Sequence, residues 1–338
     1  KLRENALLNS FLNEDNLLFV EQPLHRDFAL NDDVSRDIHQ WDLCPSMIID
    51  ESDGEISSLQ RALDLGYRGT SHKNCKGVFK GIANACKIQF NRQTKDGEWI
   101  ISGEDLANVA VSARDWALLN PRAYTYQDGP LTVNDVLSAR PIVDPLGKLD
   151  CCLVTDGGAA VVMTRSDRAK DTKNTPIYLL GAAMEHHHRM ISEMPDLVRT
   201  SAIESGERAF SMSGYKPNDM STIQLYDAFT INTLLFLEDL GFCKKGEAKE
   251  LVKNNNIGPA GNLKVNTNGG GLSCVHPGMY GLFVTLEALR QLRNSSGDDV
   301  GQRLDGGWID NAKLSVAHGN GGVLSSQVTN IWGVSETI

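Results

Sequence analysis

Three polar side chains in the second half of the chain stand where a strand or a glycine turn meets the next element. They are Tyr226 in LYDAFT, His276 in GGGLSCVHPGMYG and His318 in AHGNGG. A neutral imidazole can accept a proton, an imidazolium can return it, and a phenol hydroxyl can pass one on. We therefore predict that the three side chains face one cleft and act there as acid and base. Taken alone, His276 is more typical of an ordinary turn before a helix.

Two residues beside these three have both a chemical and a structural interpretation. Asp227 could orient a neighbour, fix a loop or cap the next helix, and we expect the cap. Cys274 lies two residues before His276, so on an extended stretch the thiol and the imidazole share a face, as a Cys–His nucleophile requires. For Cys274 we expect a small, buried packing thiol instead.

In the first hundred residues, short apolar runs end in carboxylates and alternate with helical stretches. This rhythm is typical of parallel strands joined by helices, in which sites lie at the carboxyl edge of the sheet. Hard oxygen ligands at that edge could hold a divalent cation. Acidic caps at strand-to-helix turns would give the same pattern. The carboxylates concerned are Glu21, Asp50, Glu51 and Glu104.

The chain beyond about residue 150 predicts a layered α/β domain. We expect a buried strand at 161–164, a strand at 176–184, a helix that ends at Gly214, a helix at 276–294 and two final strands around a glycine turn. The prolines and weak periodicity of residues 114–152 predict an irregular, loop-rich excursion, where specificity elements often lie.

The composition is that of a globular protein and limits the partners. The 338 residues are 41% hydrophobic and carry a net charge of −10. Phosphate binding needs a clustered basic face, so we do not expect a nucleic-acid partner. No apolar run reaches the roughly 18 to 20 residues of a membrane span. The seven cysteines lack C-x-x-C spacing, which fits reduced thiols in a cytoplasmic protein.

Residues 1–108 resemble part of a barrel of the enolase superfamily, of the mandelate-racemase type, through FVEQPLHRD, IIDESDGE and SGEDLANV. The resemblance implies a partial βα barrel in which Glu21 and Glu51 are metal ligands, with Mg²⁺ needed only where this segment is functional. The family's remaining strands and its earlier ligand have no counterpart here. Because an unclosed barrel leaves strand edges unpaired, we expect an incomplete parallel βα array with an incomplete ligand set.

Residues 109–338 resemble the thiolase superfamily, and within it the lipid-transfer or sterol-carrier type. The resemblance rests on CCLVTDGGAAVVM, YDAFTINTLLFLEDLGF, NTNGGGLSCVHPGMYG and HGNGGVLSSQVTNIWG. It implies a layered αβα fold, with a loop excursion at 109–150 and the core at 151–338. Tyr226 and Asp227 take the places of Asn and Glu in the family's Asn-Glu-Ala-Phe motif. His276 takes the place of the histidine beside the thioester, and His318 that of a second, acid/base cysteine.

The same resemblance implies which residues bind the substrate, and it also implies a nucleophilic cysteine that this chain lacks. The implied substrate-binding residues are Gly270, Gly271, Ser273, Gly321 and Gly322. The family's nucleophilic cysteine, in a Cys-x-Ser-Gly setting, has no counterpart. Some lipid-transfer-type members resemble retro-aldolases that cleave a β-hydroxyacyl-CoA, a step that needs only a base and oxyanion donors. For such a step Tyr226 or Tyr280 would take the hydroxyl proton, and His276 would steady the enolate.

We therefore expect a thiolase-like enzyme of lipid or sterol metabolism that handles an acyl-CoA. It would be an acyltransferase, such as an acetyl-CoA acetyltransferase, or a retro-aldolase, with a coenzyme A thioester as substrate and no required cofactor. The alternatives are a non-catalytic binding subunit and a Mg²⁺-dependent enolase-type lyase or racemase. We also expect a homodimer or a partner subunit, and a chimeric junction near residue 108.

Overall fold

The computed structural model describes residues 20–21, 24–39, 46–50, 52, 55, 57–71, 87, 100–143, 146–169, 171–172, 174–295, 309–321 and 324–338. The chain forms two compact units, Lys1–Glu104 with Val143–Pro145 and Asp105–Ile142 with Leu146–Ile338. Helices and strands occur in both units, so the predicted α/β class is confirmed. Among the described helices none is long and apolar enough to cross a membrane.

The described part of the first unit is a small parallel βα array. Its strands pair in chain order, β1 Val20–Glu21, β2 Met47–Ile49, β3 Gly69–Ser71 and β4 Ile100–Ser102. Its helices are α1 Arg26–Ala29, α2 Asp32–His39 and α3 Ser58–Leu65. Apolar side chains of α2, β2 and α3 share a core with Tyr67, whose hydroxyl donates to the Ala29 carbonyl. The predicted parallel arrangement is observed.

The predicted carboxylate cluster of this unit does not gather a metal site within the described residues. No group of three or more His, Cys, Asp or Glu side chains there could hold an ion. Glu21 is the last residue of β1, Asp50 is buried directly after β2, and Glu104 is the first residue of α4 (Glu104–Leu118). Glu51 lies outside the described residues. The assignment of Glu21 and Glu51 as ligands stays a prediction.

Two predictions for the middle of the chain were wrong in detail. The loop excursion was expected from residue 109 by the resemblance and from residue 114 by its prolines, yet residues 109–118 belong to α4, where Trp116 is buried and donates from Nε1 to the Ile257 carbonyl. Residues 161–164 were expected as a buried strand, yet they pair with no strand, and Val162 is 94% exposed. The other elements here are α5 Val133–Leu137, β5 Pro141–Val143, β6 Leu146–Gly147 and α6 Ser166–Ala169.

The second unit is built on a four-stranded mixed sheet. Its strands are β7 Tyr178–His186, β8 Thr222–Leu225, β9 Leu314–Gly321 and β10 Ser326–Gly333, in the order β7-β10-β9-β8. The β8–β9 pair is parallel and the others are antiparallel. The predicted pair of final strands is therefore confirmed. The helices of this unit beyond α6 are α7 Ala202–Ser213, α8 Thr230–Asp239, α9 Ala248–Val252 and α10 Gly281–Ser295.

Alternating side chains divide this sheet between two helical layers. Val316 and Ile331 pack with residues of α7 and α8, whereas their neighbours Ala317 and Trp332 pack with residues of α10. Because successive side chains of a strand point to opposite faces, helices cover the sheet on both sides. The layered arrangement predicted for this part of the chain is observed, and it brings the end of β8 next to the turn that precedes α10.

Candidate active site

Tyr226 is the first residue after β8, and the sheet fixes its backbone. Its amide donates to the His318 carbonyl at 2.9 Å, which continues the pairing between β8 and β9. Its largely buried ring meets the rings of His276 and Tyr280 edge to face, at centroid distances of 5.5 and 5.6 Å. Its hydroxyl lies 3.1 Å from His276 Nε2 and 3.4 Å from the Gly278 carbonyl. The phenol is therefore poised to exchange a proton with an imidazole.

His276 is carried by a turn that only glycines allow. Gly269 and Gly270 have φ angles of 103° and 66°, and a single π-helical turn, Gly270–Cys274, follows. A Cβ at Gly271 would lie 3.1 Å from His276 Cδ2, so the missing side chain leaves room for the imidazole. The glycines thus let the turn pack closely against its surroundings, and the imidazole of His276 points at Tyr226.

The Asp227 carboxylate holds this turn through hydrogen bonds to its backbone amides. The prediction that Asp227 caps a helix was wrong. Phe229 is the N-cap residue of α8, while the fully buried Asp227 carboxylate accepts from the amides of Gly271 at 2.6 Å and Leu272 at 3.4 Å. A Cβ at Gly270 would lie 2.0 Å from Asp227 Oδ2. Asp227 therefore joins the loop of Tyr226 to the turn of His276.

Burial keeps the reacting groups neutral. It raises the pKa of Tyr226 above its ordinary value and lowers the pKa of His276 below its own. Burial also raises the pKa of Asp227 to about 7, against the effect of the amide hydrogen bonds that it accepts. A protonated phenol thus faces an unprotonated imidazole near neutral pH. The phenol can donate to Nε2 when the imidazole carries its own proton on Nδ1.

Tyr280 belongs to the aromatic cluster, but its hydroxyl is engaged elsewhere. The residue is 1% exposed, and its hydroxyl donates to Asn268 Oδ1 at 3.2 Å. The same oxygen accepts from the Gly270 amide at 2.8 Å. Burial raises the pKa of Tyr280 well above its ordinary value. Tyr280 thereby supports the ring of Tyr226 from the side of the protein core.

The imidazole of His318 does not join this cluster, contrary to the prediction of one shared cavity. It is fully buried, Nδ1 lies 2.9 Å from Thr329 Oγ1, and Nε2 lies 2.9 Å from Gln327 Oε1. Its ring also packs against Phe236 of α8. Burial lowers its pKa to about 4. The alternation along β9 directs His318 to the α7 and α8 face, whereas its backbone carbonyl holds Tyr226.

The other predicted residues take different places. Cys274 is a buried thiol 3.5 Å from Asn120 Nδ2, as expected for a packing residue. Ser273 is buried, and its carbonyl accepts from Thr125. Gly321 ends β9, where its carbonyl accepts from Ser325, and Gly322 lies outside the described residues. Substrate binding by Gly270, Gly271, Ser273, Gly321 and Gly322 stays a prediction.

Two residues that sequence reasoning missed also contact the site. Thr155 Oγ1 accepts from the His276 amide at 3.0 Å, and Asn268 links Tyr280 to the glycine turn as described above. Their only local signal is that a threonine and an asparagine are suited to bonding a backbone amide in a turn. The sequence separation of 121 residues between Thr155 and His276 hides the first contact.

A comparison of this sequence with known protein families covers the part of the chain that carries the layered fold and the site. Residues 183–334 match the family model described as "Thiolase C-terminal domain-like". That range includes the four-stranded sheet from Ala183 onward, Tyr226, Asp227 and His276. The resemblance to the thiolase superfamily is thereby confirmed for this part of the chain.

Three individual proteins show what kinds of enzyme this chain is similar to. A 17-hydroxy-3-oxo-4-pregnene-20-carboxyl-CoA lyase of Mycobacterium tuberculosis is 39% identical over 206 residues, which are 59% of this chain and 52% of that protein. An acetyl-CoA acetyltransferase of Methanothermobacter thermautotrophicus is 30% identical over 237 residues, 70% of this chain and 59% of that protein. The solved structure of an Ltp2-ChsH2(DUF35) aldolase has a TM-score of 0.61 at 30% identity, covering 70% of this chain and 59% of that one. The chain spans about half the length of the curated relatives it matches.

Proposed function

We propose that this chain carries the acid–base machinery of a lyase that cleaves a β-hydroxyacyl thioester of coenzyme A by a retro-aldol step. The observation that supports this most is the 3.1 Å contact between the Tyr226 hydroxyl and His276 Nε2, two groups that burial keeps neutral. The names of two similar proteins, a CoA lyase and an aldolase, agree with it.

The reaction balances with these two groups. Tyr226 takes the proton of the substrate β-hydroxyl as its own proton passes to His276 Nε2. The carbon that bore the hydroxyl becomes a carbonyl as the Cα–Cβ bond breaks, and the bonding electrons move into the enolate of the thioester. The imidazolium stabilises that enolate and returns the proton to Cα, which gives a shorter acyl thioester and a ketone or aldehyde.

Tyr226 is the better candidate for the base of the two tyrosines considered from the sequence. Its hydroxyl already contacts an acceptor that can store a proton, whereas the Tyr280 hydroxyl is tied to a neutral amide oxygen. An amide oxygen cannot take a proton near neutral pH. In this proposal Tyr280 holds the ring of Tyr226 and moves no proton.

Covalent acyl transfer is less well supported, because it needs a thiolate of low pKa beside a base. Burial, with the nearby Glu287 carboxylate, raises the pKa of Cys274 to about 12. Burial, with the nearby Asp227 carboxylate, raises the pKa of Cys152 to about 11. Both groups are therefore protonated thiols at neutral pH. The acyltransferase prediction accordingly ranks below the lyase.

The substrate class and the assembly in this proposal come from the resemblance and from the similar proteins. The substrate is a coenzyme A thioester of lipid or sterol type, and the step requires no resident cofactor. The chain works as a homodimer or with a partner subunit, as the two-component name of the similar aldolase suggests. The alternative of a Mg²⁺-dependent enolase-type enzyme, which the resemblance of residues 1–108 implied, forms no part of this proposal.

The test is to supply the purified chain with a β-hydroxyacyl-CoA and follow both products by mass spectrometry. The proposal expects equal amounts of a carbonyl compound and a shortened acyl-CoA, without free coenzyme A. Cleavage only of a β-ketoacyl-CoA, and only with added coenzyme A, would instead identify a thiolase. A non-catalytic subunit would bind the thioester and release neither product.

A further inference from the structure

We propose that Thr155 is a positioning residue, which holds His276 at the distance from Tyr226 that proton exchange requires. Thr155 and His276 exchange two hydrogen bonds: the His276 amide donates to Thr155 Oγ1 at 3.0 Å, and the Thr155 amide donates to the His276 carbonyl at 3.3 Å. The side chain and the backbone of Thr155 therefore hold the backbone on both sides of the imidazole. The catalytic part of this role rests on the proposed function.

Thr155 is the last anchor of a strap, residues 151–155, that crosses both loops of the site. The Cys152 amide donates to the Ala228 carbonyl at 2.9 Å, on the loop of Tyr226 and Asp227. The Leu153 amide donates to the Gly271 carbonyl at 2.9 Å, on the turn of His276. Because the strap bonds to both loops, it fixes the separation between them.

Beyond Thr155 the chain stays close to the turn of His276, because a Cβ at Gly157 would lie 3.1 to 3.3 Å from the side chains of Phe283, Pro277 and Val275. Residues 156–158 are exposed, and a Cβ at Gly158 would contact nothing within 4 Å. Among the described residues no further hydrogen bond joins this segment to the turn before the chain reaches Val161, which packs against the cluster of Tyr226 and Tyr280. The Thr155 hydroxyl is therefore the last group of the strap that holds the His276 backbone by a hydrogen bond.

His276 needs such a hold because its own turn is built for close approach. Leu272 and Val275 pack this segment against the core, but the glycines before it and the exposed Gly278 after His276 add no side chain that would fix the backbone of His276 itself. Displacing a reacting group by about 1 Å can cost on the order of 100-fold in rate. A hydroxyl that accepts the His276 amide prevents this displacement at the residue itself.

The experiment compares Thr155→Val, which removes the acceptor and keeps the branched shape and backbone amide, with Thr155→Ser, which keeps the hydroxyl. Thr164→Val, at an exposed position, is the matched control. The primary readout is the ¹⁵N signal of His276 Nε2 in the ligand-free chain at pH 8, assigned by its loss in His276→Gln. Tyr226→Phe marks where that signal lies without the phenol hydroxyl.

We expect the signal of Thr155→Val to move at least halfway toward that of Tyr226→Phe, and those of Thr155→Ser and Thr164→Val to stay at the wild-type position. A folded Thr155→Val with a wild-type signal would overturn the proposal. Thr155→Ala gives the same test where the valine variant does not fold. In the cleavage assay, Thr155→Val should lower kcat about 10-fold with little change in KM, and Thr155→Ser should restore it. A wild-type chain without cleavage would contradict the proposed function alone, because the signal is measured without substrate.

Discussion

The Asp227 carboxylate takes a 2.6 Å hydrogen bond from the amide of Gly271, a residue 44 positions further along the chain. This contact joins the loop after β8 to the glycine turn before α10, and those two segments carry Tyr226 and His276. The carboxylate is fully buried, so the bond is made where water does not compete for the amide. The geometry of the site therefore depends on an acid that itself takes no part in the proposed proton transfer.

Replacement of Asp227 by alanine should reduce the free energy of unfolding by about 2 to 3 kcal/mol, because two buried amides lose their acceptor. Asp227→Asn keeps one acceptor oxygen and should cost less. Urea unfolding of the three proteins measures both effects. An alanine variant as stable as the wild type would show that water or a relaxed turn satisfies the amides.

The pKa of Asp227 also gives the stability a pH dependence of known sign. An aspartate titrates near 3.9 in an unfolded chain, and burial raises the value to about 7 in the folded state. Between these values the folded state binds a proton that the unfolded state lacks, so this contribution falls as the pH rises from about 4 through 7. The difference in unfolding free energy between wild type and Asp227→Asn should shrink over that interval. A constant difference would contradict the raised pKa.

His318 should matter for stability and little for chemistry. Its pKa of about 4 lies below the unfolded value of about 6.5, so its contribution is present above 6.5 and lost as the pH falls through 4. His318→Gln should cost about 1 to 3 kcal/mol at pH 7 and remove this acid sensitivity. The folded variant should keep its cleavage rate within about threefold, since a group held by Gln327 and Thr329 reaches no substrate. A loss above about 100-fold would return His318 to the acid/base role predicted from the sequence.

Cys274→Ala tests the covalent alternative. We expect a stability loss of about 1 to 2 kcal/mol from the small cavity and a cleavage rate within twofold of wild type. After incubation of the wild-type chain with acetyl-CoA, mass spectrometry should find no acyl group on any cysteine. An adduct on Cys274, or lost activity in the alanine variant, would establish thiol chemistry.

The fold of the second unit could be predicted because its signals are local. Apolar and β-favouring residues are concentrated in YLLGAAM of β7 and VTNIW of β10, and Gly214 ends α7 in the left-handed conformation that glycine favours. Residues 161–164 misled the prediction for a physical reason. Val162 and Met163 suit a strand, but strand propensity acts through neighbouring strands and packing, and no strand pairs with them here.

The site could be predicted in part. Tyr226 stood out at the end of a strand and His276 on a glycine turn before a helix, and the structure brings them together. The direction of His318 was not predictable, since a one-residue change of register would turn it to the other face. Thr155 was missed because its contact joins segments 121 residues apart in sequence. Asn268 bonds residues only two and twelve positions away, but an asparagine beside glycines indicates no more than a turn.

The most direct test of the account is the rate at which Tyr226→Phe cleaves a β-hydroxyacyl-CoA. The variant loses only the oxygen that contacts His276, and Tyr280→Phe is the matched control because it loses only the oxygen that contacts Asn268. The account predicts that kcat of Tyr226→Phe falls at least about 100-fold with little change in KM, while Tyr280→Phe stays within about fivefold of wild type. A Tyr226→Phe enzyme that retains the wild-type rate would contradict it.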